Sequence, residues 1–286
     1  MGPPPARSAS RRVNEAGFAL VAVIWAVGIL GLLLTTALWG ARLRAGEADA
    51  IADASAARAL ADAGAALAVL RVVAQPQGRP FAPPVAIACT LHEGAVALTI
   101  EDEGGKLDLN AAAPELLAAL LAGAAVPRAE AALAGILDAR DAERAAQRAA
   151  GSADAEPRPF SSSLEIARVA ALDGAALARL APHLSVHSGA AGLDSRAARG
   201  DTLALLAAGG LSGAAPDRLP AAHEAASSAE VFLVRVEARP VAGGRAARDL
   251  VVRRDPAAPA AHRVLEARPG TLRALDPRSL DGYRPC

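Results

Sequence analysis

The stretch FALVAVIWAVGILGLLLTTALWG, residues 18–40, decides how this chain is organised. It contains no charged residue, and it is long enough to cross a bilayer as a helix, which needs about 20 apolar residues. It is too long for the apolar core of a secretory signal, which has about 7 to 15 residues. The sequence therefore predicts one membrane-spanning helix near the N-terminus.

Basic residues on both sides of this span predict its orientation. Arg7, Arg11 and Arg12 precede it with one acidic residue, Glu15, whereas two arginines follow it before the acidic residues that begin at Glu47. Lysine and arginine are retained preferentially on the cytoplasmic side of a membrane. We therefore expect a cytoplasmic N-terminus and an exported body.

The junction between the basic leader and the span carries a more specific signal. Gly17 stands directly before an apolar run that opens with Phe18. This arrangement resembles the cleavage site of prepilin peptidases, which cut on the cytoplasmic side of the span. The resemblance implies that residues 1–17 are a leader peptide and that Phe18 becomes the N-methylated first residue. An ordinary single-pass anchor is the alternative.

One position within the span departs from the general pilin pattern. Most pilins carry glutamate at the fifth position of the mature chain, where this sequence has Ala22. In the usual model that carboxylate offsets the amino group of the preceding subunit, because an uncompensated charge inside a membrane is costly. A subunit that enters first has no predecessor. Ala22 therefore argues against a major pilin.

The residues after the span predict a continued helix and then a hairpin. Helix formers dominate up to residue 75, and the first proline after the span is Pro76. Two apolar runs, VAIACT and AVALTI, then surround a short HEG turn within residues 85–101, which indicates a β-hairpin.

Strand patterns return near the end of the sequence. VFLVRVEARPV and ARDLVVRRD surround a turn at Gly243–Gly244, and HRVLEAR follows at residues 262–268. We expect these strands to complete the sheet that residues 85–101 begin.

Helical patterns fill the sequence between the two strand regions. A first helix is predicted to begin near Pro114, after Asn110, and to end at Gly123. A second helix is predicted to open at Pro127 and to close at Arg140–Asp141. The pair has a helix–hairpin–helix pattern.

Two weaker copies of this pattern follow. Residues 160–187 predict two short helices with a turn at Gly174, and Ser161 to Ser163 supply candidate N-caps before Glu165. Residues 193–209 are interpreted as a third, shorter copy.

The segments DEGGKLDLN (102–110), ILDARD (136–141) and FSSSLEI (160–166), behind a span without the glutamate, carry a family resemblance. Together they resemble component K of type II secretion systems, also called general secretion pathway protein K, a minor pseudopilin. The resemblance covers most of residues 14–270. The family usually has threonine after the motif asparagine. Here it is Ala111, which we expect to weaken a helix cap by about 1 kcal/mol.

The resemblance implies an α+β fold, in which a pilin-like long N-terminal helix packs on an antiparallel sheet. A large α-helical insert with helix–hairpin–helix (SAM-like) units interrupts the sheet. The implied divisions are a leader (1–17), a transmembrane and spine helix (18–75), the first part of the pilin-like α/β domain (76–105), the insert (106–225) and the completing strands (226–286).

The implied function is assembly rather than catalysis. A component K protein sits at the tip of the pseudopilus and primes its assembly, so that folded proteins are exported across the outer membrane. The implied partners are other minor pseudopilins, the major pseudopilin and the prepilin peptidase. The implied location is the inner membrane, crossed once, with the body in the periplasm.

Two alternatives remain open at this stage, a minor type IV pilin and a membrane-anchored helix–hairpin–helix protein for DNA uptake. The overall charge argues against DNA, since 30 basic residues balance 30 acidic ones, and residues 106–225 hold more acidic than basic side chains. Nucleic acid is therefore not expected as a partner.

Candidate chemical sites are few. There is no HExxH, GxSxG or phosphate-loop motif, so we do not expect an enzyme. His183 and His187 have the spacing of a helical metal pair, but in PHLSVHS the spacing is interpreted as accidental. The other histidines, His92, His223 and His262, are isolated.

No cofactor is expected. The acidic run Glu101–Glu103 could give oxygen ligands to calcium, yet no ligand set can be assigned, and a solvated turn is the preferred interpretation.

The only two cysteines of the sequence are Cys89 and Cys286, which do not form a CxxC motif. An oxidising periplasm would permit a disulfide between them. By the loop-entropy model such a bond would add about 4 to 5 kcal/mol.

Overall fold

The computed structural model describes residues 11–82, 84–91, 94–150, 158–213, 215, 217–272 and 284–286, with side chains from residue 18 onward. The chain divides into two compact units, residues 1–55 and 56–286. In chain order the helices and strands are α1 (Arg11–Ala74), β1 (Val85–Leu91), β2 (Gly94–Asp102), β3 (Leu107–Asp108), α2 (Pro114–Gly123), α3 (Ala129–Ala149), α4 (Ile166–Val169), α5 (Gly174–Leu180), β4 (Leu184–Ser185), α6 (Gly200–Ala208), β5 (Val231–Pro240), β6 (Ala246–Arg254) and β7 (His262–Pro269).

Five strands form one antiparallel sheet in the order β1-β2-β5-β6-β7. The strands before and after the helical region are direct neighbours, with Leu98 of β2 opposite Val236 of β5. The C-terminal part of α1 packs on this sheet. The predicted α+β fold class, a long N-terminal helix packed on an antiparallel sheet, is confirmed.

Small residues let α1 lie close to the sheet. Ala65, Ala68 and Val72 are buried against side chains of β2 and β5. At Gly64 an added Cβ would lie only 2.6 Å from a methyl group of Val96. Glycine at this position therefore leaves room for the side chain of Val96.

The elements from β3 to α6 have a separate hydrophobic core, which β3 and β4 border as a short parallel pair. Helices α2 and α6 touch through backbone, since a Cβ at Gly123 would lie 1.9 Å from the Leu205 carbonyl oxygen. The largest fully buried side chains of this core are Leu107, Leu109, Leu116, Leu117, Leu120, Leu121, Ile136, Ile166 and Leu180.

The structure corrects two predicted helix limits. Helix α3 continues to Ala149 and does not close at Arg140–Asp141, because residues 142–149 are helix formers stabilised by exposed pairs such as Arg144 with Asp141. Gly174 is the first residue of α5 and not part of the preceding turn, because Asp173 caps the helix by accepting a hydrogen bond from the Ala176 amide.

One further prediction for this region was wrong, and one strand pairing was not predicted. The third helix–hairpin–helix copy, residues 193–209, contains a single helix, α6, preceded by turns around Asp194. The pairing of β3 with β4 was not predicted, because two-residue strands leave no periodic signal in a sequence.

Candidate functional site: an apolar helix and a buried polar junction

The first candidate site is the apolar part of α1. Among the described residues, one helix, Phe18–Ala74, is long and apolar enough to cross a membrane, and its most apolar window has a mean hydropathy of 2.6. Large side chains along it are exposed, among them Phe18, Trp25 and Trp39. A helix that is apolar on all sides is stable only when lipid or protein covers it.

The predicted processing residues lie on this helix. Gly17 falls within α1, Phe18 is 77% exposed, and Ala22 is exposed one turn later. Cleavage before Phe18 and its methylation remain predictions.

The second candidate site is the junction where β2 leads into the helical region. Glu101, Asp102 and Glu103 are all buried here, so the preferred interpretation of a solvated turn was wrong. Glu101 and Glu103 share a cation at this site. Lys106 Nζ lies 2.5 Å from Glu103 Oε1 and 3.5 Å from Glu101 Oε2.

Glu101 also ties the junction to two distant elements. Its Oε1 lies 3.3 Å from Nη1 of Arg199, just before α6, and 3.2 Å from Nη1 of Arg235 on β5. Arg235 continues the network to Asp249 on β6, with Nε 3.7 Å from Oδ2. The charge of Glu101 is therefore matched by cations within the protein.

Burial and charge shift the acids of the junction in opposite directions. Burial works to raise the pKa of Glu103, but the charge and hydrogen bond of Lys106 outweigh it and hold that pKa below its usual value. For Asp102, burial dominates over the hydrogen bonds from Ser227 and Gly104, and its pKa is raised.

Asp102 fastens the start of the helical region to its end. Its Oδ1 accepts hydrogen bonds from the Gly104 amide at 2.8 Å and from Ser227 Oγ at 2.7 Å. Ser227 stands shortly before β5, so one carboxylate holds both connections to the sheet.

The loop after β3 is held by the side chains of the motif. The Asn110 amide group bonds both backbone groups of Phe160, donating to its oxygen and accepting from its nitrogen, each at 3.0 Å. Asp108 accepts from the amides of Asn110 and Gly189, each at 2.7 Å. The polar groups of Asn110 and Asp108 are therefore occupied by hydrogen bonds within the protein.

The expectation for Ala111 was wrong. The N-cap of α2 is Ala113, which makes no side-chain cap, and Asn110 is occupied by Phe160. A threonine at position 111 would therefore not occupy the N-cap of this helix.

A buried arginine completes this loop. Arg140 on α3 donates from Nε to the Leu109 oxygen and from Nη1 to the Ala112 oxygen, each at 2.8 Å. This role was not predicted from the sequence. Arg140 follows Ile136 by four residues and so lies on the buried face of α3.

Of the candidate serine caps, Ser162 caps the short 3-10 turn Ser163–Glu165 that leads into α4, while α4 itself has no side-chain cap. Ser162 accepts from the Leu164 amide, while the Glu165 carboxylate accepts from the amide and hydroxyl of Ser161 at 2.9 and 3.0 Å. The hydrogen bond from the Ser161 amide is the main cause that lowers the pKa of Glu165.

The histidines do not converge. His183 is buried with Nδ1 2.8 Å from Thr202 Oγ1, and burial lowers its pKa, whereas His187 Nε2 lies 3.6 Å from Glu266. His223 and His262 lie apart from them, and His92 is outside the described residues. In the described parts of the chain, no group of three or more His, Cys, Asp or Glu side chains could hold a metal ion.

The two cysteines come together at the β1 edge of the sheet. Cys89 and Cys286, 197 residues apart, are joined by a disulfide with Cα atoms 5.0 Å apart. Beside it, Thr90 donates from its amide to the Arg284 oxygen at 2.8 Å and accepts from the Cys286 amide at 3.0 Å.

Comparison with known proteins gives a structural likeness. No protein family model matches the chain, and no curated protein matches it. A chain in the crystal structure of the GspK-GspI-GspJ complex of the type 2 secretion system from enterotoxigenic Escherichia coli is similar, with 15% identity and a TM-score of 0.49. The match covers 81% of this chain and 99% of that one. At this level the likeness assigns neither family nor function.

Proposed function

We propose that this chain is a minor pseudopilin at the tip of a type II secretion pseudopilus. In this role it primes pseudopilus assembly, which exports folded proteins across the outer membrane. It acts by assembly and not by catalysis.

The observation that carries the proposal is the apolar part of α1, from Phe18 onward. It exposes apolar side chains on all sides and carries Ala22, not a carboxylate, near its start. Such a helix fits a membrane anchor that later packs among partner helices. Without an acidic residue it does not need a preceding subunit, which suits the first position in a filament.

The helical region supports the same position. In this proposal residues 18–75 are the anchor and spine, 76–105 and 226–286 form the pilin-like domain, and 106–225 form the insert. An insert of this size would obstruct a further subunit stacked above it. Partners are therefore expected below, namely other minor pseudopilins and the major pseudopilin.

The proposed location is the inner membrane, with a cytoplasmic N-terminus and a periplasmic body. The basic residues before Phe18 support this orientation. The disulfide between Cys89 and Cys286 fits an oxidising compartment.

The decisive experiment is the mass of the mature N-terminal peptide after co-expression with a prepilin peptidase. We expect a chain that begins with N-methylated Phe18. A Gly17→Leu variant and an inactive peptidase are the matched controls, and both should leave residues 1–17 attached. If wild type keeps residues 1–17 with active peptidase, the span is an ordinary anchor and the proposal fails.

A second experiment tests the tip position. Ala22→Glu places a carboxylate where no preceding amino group exists to match it, so we expect fewer assembled pseudopili and less secretion. Ala22→Leu, which adds no charge, should assemble as wild type does. Assembly improved by Ala22→Glu would indicate a subunit inside the filament.

DNA uptake is tested by gel shift with the detergent-solubilised chain. Lys106 of the junction is already paired with Glu101 and Glu103, and the sequence has no net positive charge. We expect no retardation of duplex DNA at low salt. Tight binding that falls steeply with salt would favour the DNA-binding alternative.

A further inference from the structure

The two edges of the sheet differ in how they are protected. Strand β7 carries Arg263, Glu266 and Arg268, ends at Pro269, and pairs with β6 through a register shift at Val251/Val252. Charged residues, proline and irregular pairing are the features that keep an edge strand from pairing with another chain. Strand β1, at the opposite edge, reads VAIACTL and has none of them.

The hydrogen bonds of Thr90 show which backbone groups of β1 point away from β2. Thr90 points its amide and carbonyl away from β2, toward Arg284 and Cys286. Since backbone groups alternate along a strand, Ala88 and Ala86 point theirs the same way. Both are exposed, and among the described residues neither has a backbone partner on that side.

The segment Arg284–Cys286, which we call the clasp, covers the end of this edge. It runs parallel to β1, with Pro285 opposite Thr90, and the disulfide fixes it to the neighbouring residue Cys89. Two backbone hydrogen bonds alone would hold three residues weakly, because ordering them costs conformational entropy. The disulfide makes the contact permanent.

We propose that the clasp prevents the β1 edge from pairing with the β1 edge of a second copy of this chain. A second copy is the occupant that fits, because β1 has no charge to repel its own image. About a two-fold axis at Ile87, Ala86 of one copy faces Ala88 of the other, and each such pair exchanges both backbone hydrogen bonds. In that register Thr90 faces Pro84 of the second copy. The clasp occupies this place, so the two strands cannot pair in this register while it is closed.

This inference does not depend on the proposed function, since it concerns only the sheet and its disulfide. It does predict that the closed chain remains free for unlike partners. The test therefore uses self-association of the full-length chain in detergent, without any secretion component.

The first variant opens the clasp by C89S/C286S. We expect its dimerisation, measured by sedimentation over a range of protein concentrations, to be at least about tenfold tighter than that of wild type. Adding Ala86→Lys and Ala88→Lys should reverse the increase, because the lysines place like charges along the shared edge. The matched control adds Ala257→Lys and Ala260→Lys, which are exposed in the turn between β6 and β7 on the opposite side of the sheet from β1, and should leave the dimer intact.

Hydrogen exchange gives the second readout. In wild type the Thr90 amide should exchange slowly, while the amides of Ala86 and Ala88 exchange fast. In C89S/C286S all three should be fast at low protein concentration and become protected as the dimer forms. A merely structural disulfide would free Thr90 without any concentration-dependent protection.

If C89S/C286S does not fold, the same measurements are made on folded wild type treated with a dithiol reductant. The dithiol transfers two electrons and two protons to the Cys89–Cys286 bond, which leaves two thiols and the cyclic disulfide of the reagent. A folded open form that stays as monomeric as wild type overturns the proposal. So does a dimer that survives the Ala86 and Ala88 lysines as well as it survives those at Ala257 and Ala260.

Discussion

Asp102 and Ser227, 125 residues apart in sequence, meet through a hydrogen bond of 2.7 Å where the helical region leaves the sheet and returns to it. Asp102 ends β2, and Ser227 stands just before β5, the strand that pairs with β2. This contact joins the chain segment that follows β2 to the one that precedes β5.

Ser227→Ala should lower the free energy of unfolding by about 1 to 3 kcal/mol, because a buried carboxylate oxygen loses its hydroxyl donor. Urea denaturation of the detergent-solubilised chain measures the change. Ser228→Ala is the matched control, since Ser228 is exposed, and should change stability by less than about 0.5 kcal/mol. Equal effects of the two substitutions would mean that the contact does not stabilise the junction.

Asp102 itself should make stability depend on pH. Burial raises its pKa above the ordinary value of 3.8, so the folded chain holds the proton more tightly than the unfolded chain does. Its contribution to stability is therefore fully present below the unfolded pKa and is lost as pH rises through the folded pKa.

Asp102→Asn removes this titration and keeps an oxygen that can accept from Ser227. The stability of wild type relative to Asp102→Asn should therefore fall as the pH rises above about 3.8, and then level off. Unfolding curves of both proteins between acid and neutral pH provide the measurement. A difference that is constant with pH, or that changes in favour of wild type, contradicts the prediction.

Arg140→Leu should cost about 3 kcal/mol or more, because it leaves the buried carbonyl oxygens of Leu109 and Ala112 without donors. Arg144→Leu, one turn further along α3, removes only an exposed pair with Asp141 and should cost less than about 1 kcal/mol. Comparing the free energies of unfolding of the two variants tests this prediction. A loss at Arg140 no larger than at Arg144 would show that water replaces the guanidinium there.

Ala125 and Ala171 adopt left-handed backbone conformations, with φ of 50° and 48°, between α2 and α3 and between α4 and α5. Both are exposed, so glycine would relieve strain without loss of packing. Each Ala→Gly substitution should stabilise the chain by about 0.5 to 1 kcal/mol.

The control for these substitutions is Ala134→Gly. Ala134 is also exposed but lies within α3, where glycine should destabilise by about 1 kcal/mol. Thermal unfolding of the three variants gives the signs. Destabilisation at position 125 or 171 similar to that at 134 would show that the left-handed turns carry no strain.

Gly64→Leu should destabilise by about 1 to 3 kcal/mol, because its Cβ and the atoms beyond would enter the space of Val96 and Val236. Gly46→Ala, at a site with no atom within 4 Å of the new Cβ, should gain up to about 1 kcal/mol from helix propensity. Both are measured by urea denaturation. A neutral Gly64→Leu would mean that α1 can move away from the sheet at no cost.

The sequence by itself determined the elements that depend on local signals. Hydrophobic length defined the span from Phe18, and the absence of proline before Pro76 placed the end of the helix within one residue of Ala74. Short apolar runs on either side of turns identified β1, β2 and the last three strands.

Only the tertiary structure decided how charges and edges are used. The acids at 101–103 look solvated in the sequence, because Arg199 and Arg235, which pair with Glu101, and Ser227, which bonds Asp102, are about 100 or more residues away. Arg140 looks like an exposed helix residue until the loop it holds is in place. The clasp on β1 depends on the meeting of Cys89 with Cys286, which spacing alone cannot reveal. Burial of a charge, and protection of an edge, depend on partners that are brought close only by folding.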